Sequence, residues 1–142
     1  MPSHCVEMAA KMRAGDRAEC EAVGMTVRKA VWRSYRRAVV ARVAFMDGEL
    51  AALFGLGGGA FGATGTPWMF TTPVVERHKL AFLRGALATR DEFLLANPIL
   101  ENWVHAEYGQ ACRLLLSLGF TLSDPAPFGP KGALFRKFRI AA

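Results

Sequence analysis

LENWVHAEYGQACRLLLSLGF, Leu100 to Phe120, is the stretch on which the fold turns. Leu100 to Ala106 is apolar and β-prone and reads as a strand. Gly109 to Leu118 has the spacing of a short helix, and Gly119 sits just past its end, at the C′ position. Thr121 to Leu122 then resumes extended structure. Immediately upstream, Asn97-Pro98 marks a stop, because the residue before a proline is pushed out of the helical region. The pattern before it predicts one long helix over Pro73 to Ala96. Thr72 is its N-cap, Pro73 fits its first turn, and Leu80, Leu83, Leu87 and Leu94 form its apolar face.

Farther out, Val39 to Phe45 and Glu49 to Leu56 flank Asp47-Gly48, a strong short signal for a β-hairpin. Pro67 to Thr72 (PWMFTT) reads as a third strand, with Pro67 suited to its first position or to an edge. Val6 to Val23 reads as a helix that breaks near Gly15, and Gly24 is a C-cap for it. Thr26 to Ala38 is amphipathic, with Val27, Val31, Tyr35 and Ala38 on one stripe and Lys29, Arg33, Arg36 and Arg37 on another. A solvated basic face is the ordinary reading of that second stripe, and a surface that meets phosphates or an acidic patch is the other. Ala133 to Ile140 closes the chain as a strand with imperfect alternation. The order α-α-β-β-β-α-β-α-β-β specifies an α+β layered fold, and 142 residues suit a single domain over 1–142.

Composition narrows the class. Hydrophobic residues make up 52% and charged residues 21%, a globular balance. Three cysteines, Cys5, Cys20 and Cys112, without a CxxC pair argue against a disulfide framework or a zinc ribbon. The formal charge of +6 permits attraction to nucleic acid, an acidic partner or an anionic cofactor without choosing among them. MPSHCVEMAAKMRAGD lacks the basic and apolar succession of a secretory signal. Leu50 to Met69, the longest apolar stretch, is rich in glycine, alanine and threonine and reads as strand and loop, not as a membrane span.

Several short patterns fail their structural context. Gly57-Gly58-Gly59-Ala60-Phe61-Gly62 matches G-x-G-x-x-G, but the dinucleotide motif needs a helix straight after it, and Thr66-Pro67 opens a strand. His105-Ala106-Glu107 fits the H-x-E of zinc deaminases, yet no P-C-x-x-C follows. With three scattered histidines, no metal site is expected. Asp16, Glu19 and Glu21 lie close to Arg13 and Arg17. Intrahelical ion pairing is the ordinary reading of that cluster. A carboxylate pair facing a cleft, acting as general base or holding an amine, is the alternative. Trp68 and Trp103 lie in predicted strands and read as core aromatics by default.

The helix and strand order, LENWVHAEYGQACRLLLSLGF, and PAPFGPKGALFRKF at Ala126 to Phe138 together resemble the GNAT superfamily of acetyltransferase-fold proteins. AKMRAGDRAE (Ala10 to Glu19) and GTPWM (Gly65 to Met69) fit the same pattern. The likeness extends to small GNAT-like proteins of tailed phages, some described as internal virion or head morphogenesis proteins. It implies a mixed, mostly antiparallel central sheet flanked by helices, with the usual first strand short or missing. It implies acetyl-CoA as cofactor and no metal. Asp16 and Glu19 then become candidate bases, Tyr108 a candidate acid, and Trp68 and Trp103 flank the substrate cleft. The cofactor site maps to the helix start at Val74, Val75, Arg77, His78 and Lys79.

This sequence departs from the family pattern in three places, the first being the usual first strand, for which only Met1 to His4 are available. The pyrophosphate loop of many active GNAT enzymes, Q/R-x-x-G-x-G/A, falls on Thr71 to Leu80, which contains no glycine. In the N-x-x-A-x-x-x-Y-x-x-x-G-F pattern, Ala111 is kept, Tyr108 stands where Asn is expected, and Leu115 stands for the acid Tyr. The resemblance thus implies one of two functions. One is transfer of an acetyl group from acetyl-CoA to an amine. The other is a catalytically degenerate virion or assembly protein, with other virion proteins as partners. A phage effector that binds or modifies a host protein is the third class. The implied location is the host cytoplasm, the virion or both. Nucleic acid is expected to bind only non-specifically, and no membrane partner is expected.

Overall fold

A computed structural model describes residues 2–58 and 62–142. Three helices come first: α1 (Ser3–Lys11), α2 (Ala14–Ala22) and α3 (Val27–Arg37). Then follow β1 (Ala38–Met46), β2 (Glu49–Gly58), β3 (Thr64–Thr71), a 3-10 turn (Pro73–Arg77) and α4 (Lys79–Ala96). β4 (Ile99–His105), α5 (Gly109–Ser117), β5 (Thr121–Leu122), β6 (Ala126–Phe128) and β7 (Ala133–Ala141) complete the chain. The strands form one seven-stranded sheet in the order β1-β2-β3-β4-β7-β5, with β6 also paired to β7. Every pairing is antiparallel except β3 with β4. Among the described residues no strand precedes α1.

The sheet is buried on both faces. Helices α1–α3 cover one, where Met8, Met12, Val31 and Leu53 pack together and Trp68 and Phe70 join them. Helices α4 and α5 lie over the other, against Leu56, Leu100 and Phe138. Each fully buried aliphatic or Met side chain contributes about 1.5–3 kcal/mol, so these two layers are the main source of stability. β7 explains its own imperfect alternation: Phe138 meets Phe120 edge-on under α5, while Phe135 packs at a tilt against His105 and Phe128. A strand covered on both faces has no reason to alternate.

The first helix breaks near Gly15, at Met12 and Arg13, which adopt extended backbone and separate α1 from α2. The Arg13 N–H donates to Thr71 O at 2.7 Å, tying the break to the end of β3. The long helix over 73–96 is divided: Pro73–Arg77 forms a 3-10 turn, His78 leaves helical geometry, and the α-helix starts at Lys79. Thr72 does act as a cap, but for the 3-10 turn, accepting from Val74 N. Leu80, assigned to the apolar face, is 61% exposed. The strand at Ala126–Phe128 was not anticipated at all. The hairpin stands as read: Asp47 and Gly48 both take positive φ in the turn. Gly119 likewise has φ +90°, as its C′ position requires.

Candidate active site

β3 and β4 run parallel for one short contact and then part. Only Thr64↔Ile99 and Gly65↔Leu100 are paired. Pro67 lies two residues beyond, and here a proline is harmless. Its C=O points at the gap and accepts from Asn102 Nδ2 at 2.9 Å. A residue's N and C=O face the same edge of a strand, so the missing N–H also faces the gap. Pro67 is therefore inside β3 yet on an unpaired edge. Asn102 keeps the strands apart with its second bond too, its Oδ1 accepting from Trp103 N at 2.8 Å. By the same alternation Met69 turns its N–H and C=O to the gap, and it makes no main-chain bond outside the ladders.

A cavity of about 660 Å³ passes through this gap, within the range of small-molecule sites. On the α4 side it meets Ala81, Gly85, Ala86 and Thr89. These small side chains leave space, and an added Cβ on Gly85 would touch nothing within 4 Å. On the α1–α3 side it reaches α2, α3, Trp68 and Trp103. Trp68 fits because its partner across the ladder is Gly55, where a Cβ would overlap the indole.

Asp16 and Glu19 both line the cavity. The expected intrahelical ion pairs are not what holds them. Asp16 is buried, and its Oδ2 accepts from Thr71 N at 2.8 Å and from the Thr71 hydroxyl. Burial raises its pKa above the usual carboxylate value; the Thr71 bonds and Arg13 oppose the rise. Glu19 Oε2 accepts from His105 N at 2.8 Å. Glu19 keeps partial exposure as a residue, but its carboxyl is turned into the interior, and burial pushes its pKa up to about 7. The His105 N–H opposes that rise, and the charge of Asp16 adds to it.

The arginines of the cluster serve elsewhere. Arg17 caps the end of α1, donating from Nε to Met12 O and from Nη2 to Ala9 O and Ala10 O. Arg13 reaches Gln110 Oε1 at 3.4 Å and Glu76 at 3.9 Å and lies over the Tyr108 ring.

Tyr108 is buried at the head of α5, stacked so closely on Gly15 that a Cβ there would overlap its ring. Burial, then the charge of Asp16, raises its pKa, so it holds its proton. Its OH lies beside Asp16 and Thr71 but has no hydrogen-bond partner of acceptable geometry. Trp68 Nε1 and Arg13 Nε are likewise buried without partners. All three residues line the cavity. An unpaired buried polar group costs about 1–3 kcal/mol, so these three are positions at which water or a polar ligand in the cavity would be stabilising.

The structure thus brings Asp16, Glu19, Tyr108, Trp68 and Trp103 to one cavity. It does not bring Val74, Val75, Arg77, His78 or Lys79 there. Val74 and Val75 are core residues packed with Ala51, and their amides bond to Thr72. Arg77 pairs with Glu49 at the start of β2 at 2.6 Å, and His78 Nε2 lies 3.2 Å from Asp47 Oδ2 in the hairpin turn. The α-helical amides without intrahelical acceptors are those of Lys79, Leu80 and Ala81, and Ala81 borders the cavity. Of the Gly57–Gly62 motif, Gly59, Ala60 and Phe61 lie outside the described residues. Sequence reading missed Thr71, Asn102 and Gly15. A glycine early in a helix and an asparagine in an apolar strand were the available signals.

Solved structures match this fold. The ribosomal-protein-S18-alanine N-acetyltransferase of Escherichia coli aligns with TM-score 0.65 at 14% identity, covering 97% of this chain and 85% of that one. The chain has a GNAT-like fold. An acetyltransferase of the GNAT family from Bacillus anthracis gives 0.61 at 11% identity, covering 82% and 73%. A Bacillus subtilis acetyltransferase solved in complex with CoA gives 0.62 at 12% identity, covering 80% and 83%. No protein-family model matches the chain, and a comparison with curated proteins finds no match. Among the described residues no helix is long and apolar enough to cross a membrane.

Proposed function

We propose that this GNAT-like chain transfers an acetyl group from acetyl-CoA to an amine. The observation that carries the reading is the cavity through the β3–β4 gap, with Glu19, Asp16 and Tyr108 on its wall. Acetyl-CoA, when bound, supplies an activated acetyl thioester. The Met69 N–H and C=O would hold its amide-bearing arm in the gap. The free amides at the start of α4, where Ala81 borders the cavity, would meet its pyrophosphate, as helix N-termini do. This arrangement replaces the glycine-rich loop with the start of α4.

Glu19 is suited to take the proton from the attacking amine, because a base works best with a pKa near the working pH, and its own is about 7. Tyr108 holds its proton and would give it to the departing sulfur. The bond formed is nitrogen to acetyl carbon, and the bond broken is carbon to sulfur. The amine proton ends on Glu19, the sulfur proton comes from Tyr108, and the two reset through water. Asp16, anchored by Thr71, lies beside the Tyr108 hydroxyl, and its charge helps Tyr108 keep its proton until the sulfur departs.

Thermal unfolding with and without acetyl-CoA tests the first half. A ligand at about 100 times its Kd adds roughly 2.7 kcal/mol to the folded state, which in a domain of this size raises the midpoint by roughly 5–10 °C. No shift at millimolar acetyl-CoA would sink the proposal. The competing reading keeps the fold without the chemistry, as a virion or assembly protein. Its support is Leu115, packed in the apolar layer under α4 and α5 where the family pattern has an acid. Mass spectrometry of purified particles and assembly intermediates tests it, and absence from both would end it.

A further inference from the structure

We propose that the acceptor is a small amine carrying an anionic group, a carboxylate or a phosphate, at its other end. This rests on the acetyl-transfer reading for the fate of the amine, but not for the binding of the anion.

The argument starts from the charges of the cavity wall. Among the described lining residues its only carboxylates are Asp16 and Glu19, while its cations are Arg13, Arg33, Arg37 and Arg90. Asp16 is committed to Thr71. Arg90 is committed to Leu118 O and Asp91. Arg33 and Arg37 stand one turn apart on α3, on one side of the helix. Both are exposed, and neither has a carboxylate within ion-pair distance among the described residues.

α3 belongs to the layer that covers Trp68, the face away from α4. On the same cavity Gly57 contributes no side chain, and over Gly55 the flat face of the Trp68 indole forms part of the wall. Arg33 and Arg37 therefore stand on the wall of the α3 side of the cavity, and the general base stands on the α2 wall. An amine directed to Glu19 with its anion toward α3 satisfies both walls. A polyamine would place a second positive charge beside two unpaired guanidinium groups, which is unfavourable by Coulomb's law. Arginine forks also match carboxylate and phosphate oxygens in a way that water-exposed single charges do not.

The experiment is titration calorimetry of the full chain, with and without CoA, using aspartate, O-phosphoethanolamine and spermidine as probes. One variant is Arg33→Gln with Arg37→Gln. A control variant, Arg28→Gln with Lys29→Gln, removes the same charge from α3 at positions outside the cavity. At least one anionic amine should bind the wild type tenfold or more tightly than spermidine, and the tighter of the two identifies the anion. The Arg33/Arg37 variant should lose that preference by tenfold or more. The control should keep it, and both variants should keep the wild-type affinity for acetyl-CoA. Spermidine binding as tightly as both anionic amines would overturn the proposal. So would an unchanged preference in the Arg33/Arg37 variant, an equal loss in the control, or a fall in acetyl-CoA affinity confined to the Arg33/Arg37 variant. Failure of acetyl-CoA to bind any of the three proteins would refute the transfer reading alone, since the amine titrations without CoA still decide the anion site.

Discussion

Glu19 holds its proton up to about pH 7 because its carboxyl is desolvated, and that fact sets both its usefulness and its cost. In the unfolded chain a glutamate ionises near 4.5. Between those two values the unfolded state has lost a proton that the folded state keeps. Stability therefore falls as pH rises through this window, by roughly 3 kcal/mol in all. Glu19→Gln keeps an acceptor for His105 N–H but cannot ionise. The variant should show little of this fall and should be the more stable protein at pH 8, as read by urea unfolding at pH 5 and pH 8. Under the proposed function it should also lose about 10²–10⁴ in transfer rate, and wild-type kcat/KM should rise with pH through about 7. A wild-type pH profile of stability surviving in Glu19→Gln would show that the carboxyl is not the titrating group. The sequence made Asp16 and Glu19 visible as candidates through their spacing. It could not reveal that Arg17 would be drawn to the end of α1 and Arg13 to the Tyr108 ring, because that depends on where α1 ends.

The end of α1 is an arginine effect. Three carbonyls at its last turn, those of Ala9, Ala10 and Met12, have no onward helical donor, and the Arg17 fork reaches all three. Arg13 then uses its own N–H on Thr71 O, so the short break joins α2 to the end of β3. This is how Asp16 comes to face Thr71. Hydrogen bonds from a charged donor contribute about 1.5–3 kcal/mol, so Arg17→Ala should cost about 2–3 kcal/mol in denaturant unfolding. Arg17→Lys, which keeps the charge but not the fork, should recover less than half of that. Full recovery by lysine would mean that charge alone holds the turn. The β3–β4 gap is legible in part: Pro67 announced an unpaired edge, but only the pairing shows that the edge lies mid-sheet. The divided helix at His78 was not legible. Thr72-Pro73 looks the same before a 3-10 turn as before an α-helix, and the buried Val74 and Val75 decide the matter from outside the local sequence.

At the scale of the molecule, the cavity divides the chain into unequal halves. On one side, α1 and α3 bury Cys5, Met8, Ala30 and Val31 against the sheet. On the other, α4 buries only Phe93 of its 18 residues, and α5 has no fully buried residue among its nine. Leu95 and Leu116 are left exposed. Apolar contact is what resists local opening, so opening free energies should differ across the molecule. Amide hydrogen exchange should be slowest in β1, β2 and α1, and markedly faster in α4 and α5. A ligand in the gap supplies the missing contacts for α4 and α5 but adds little to α1. Acetyl-CoA should therefore slow exchange at least tenfold in α4, including its first turn, and in α5, while the α1 amides slow only as far as global stability rises. Uniform exchange across all the helices in the free protein would mean that the cavity is no weak plane. Protection gained equally in every element would mean that the ligand stabilises the whole without sitting between β3 and β4.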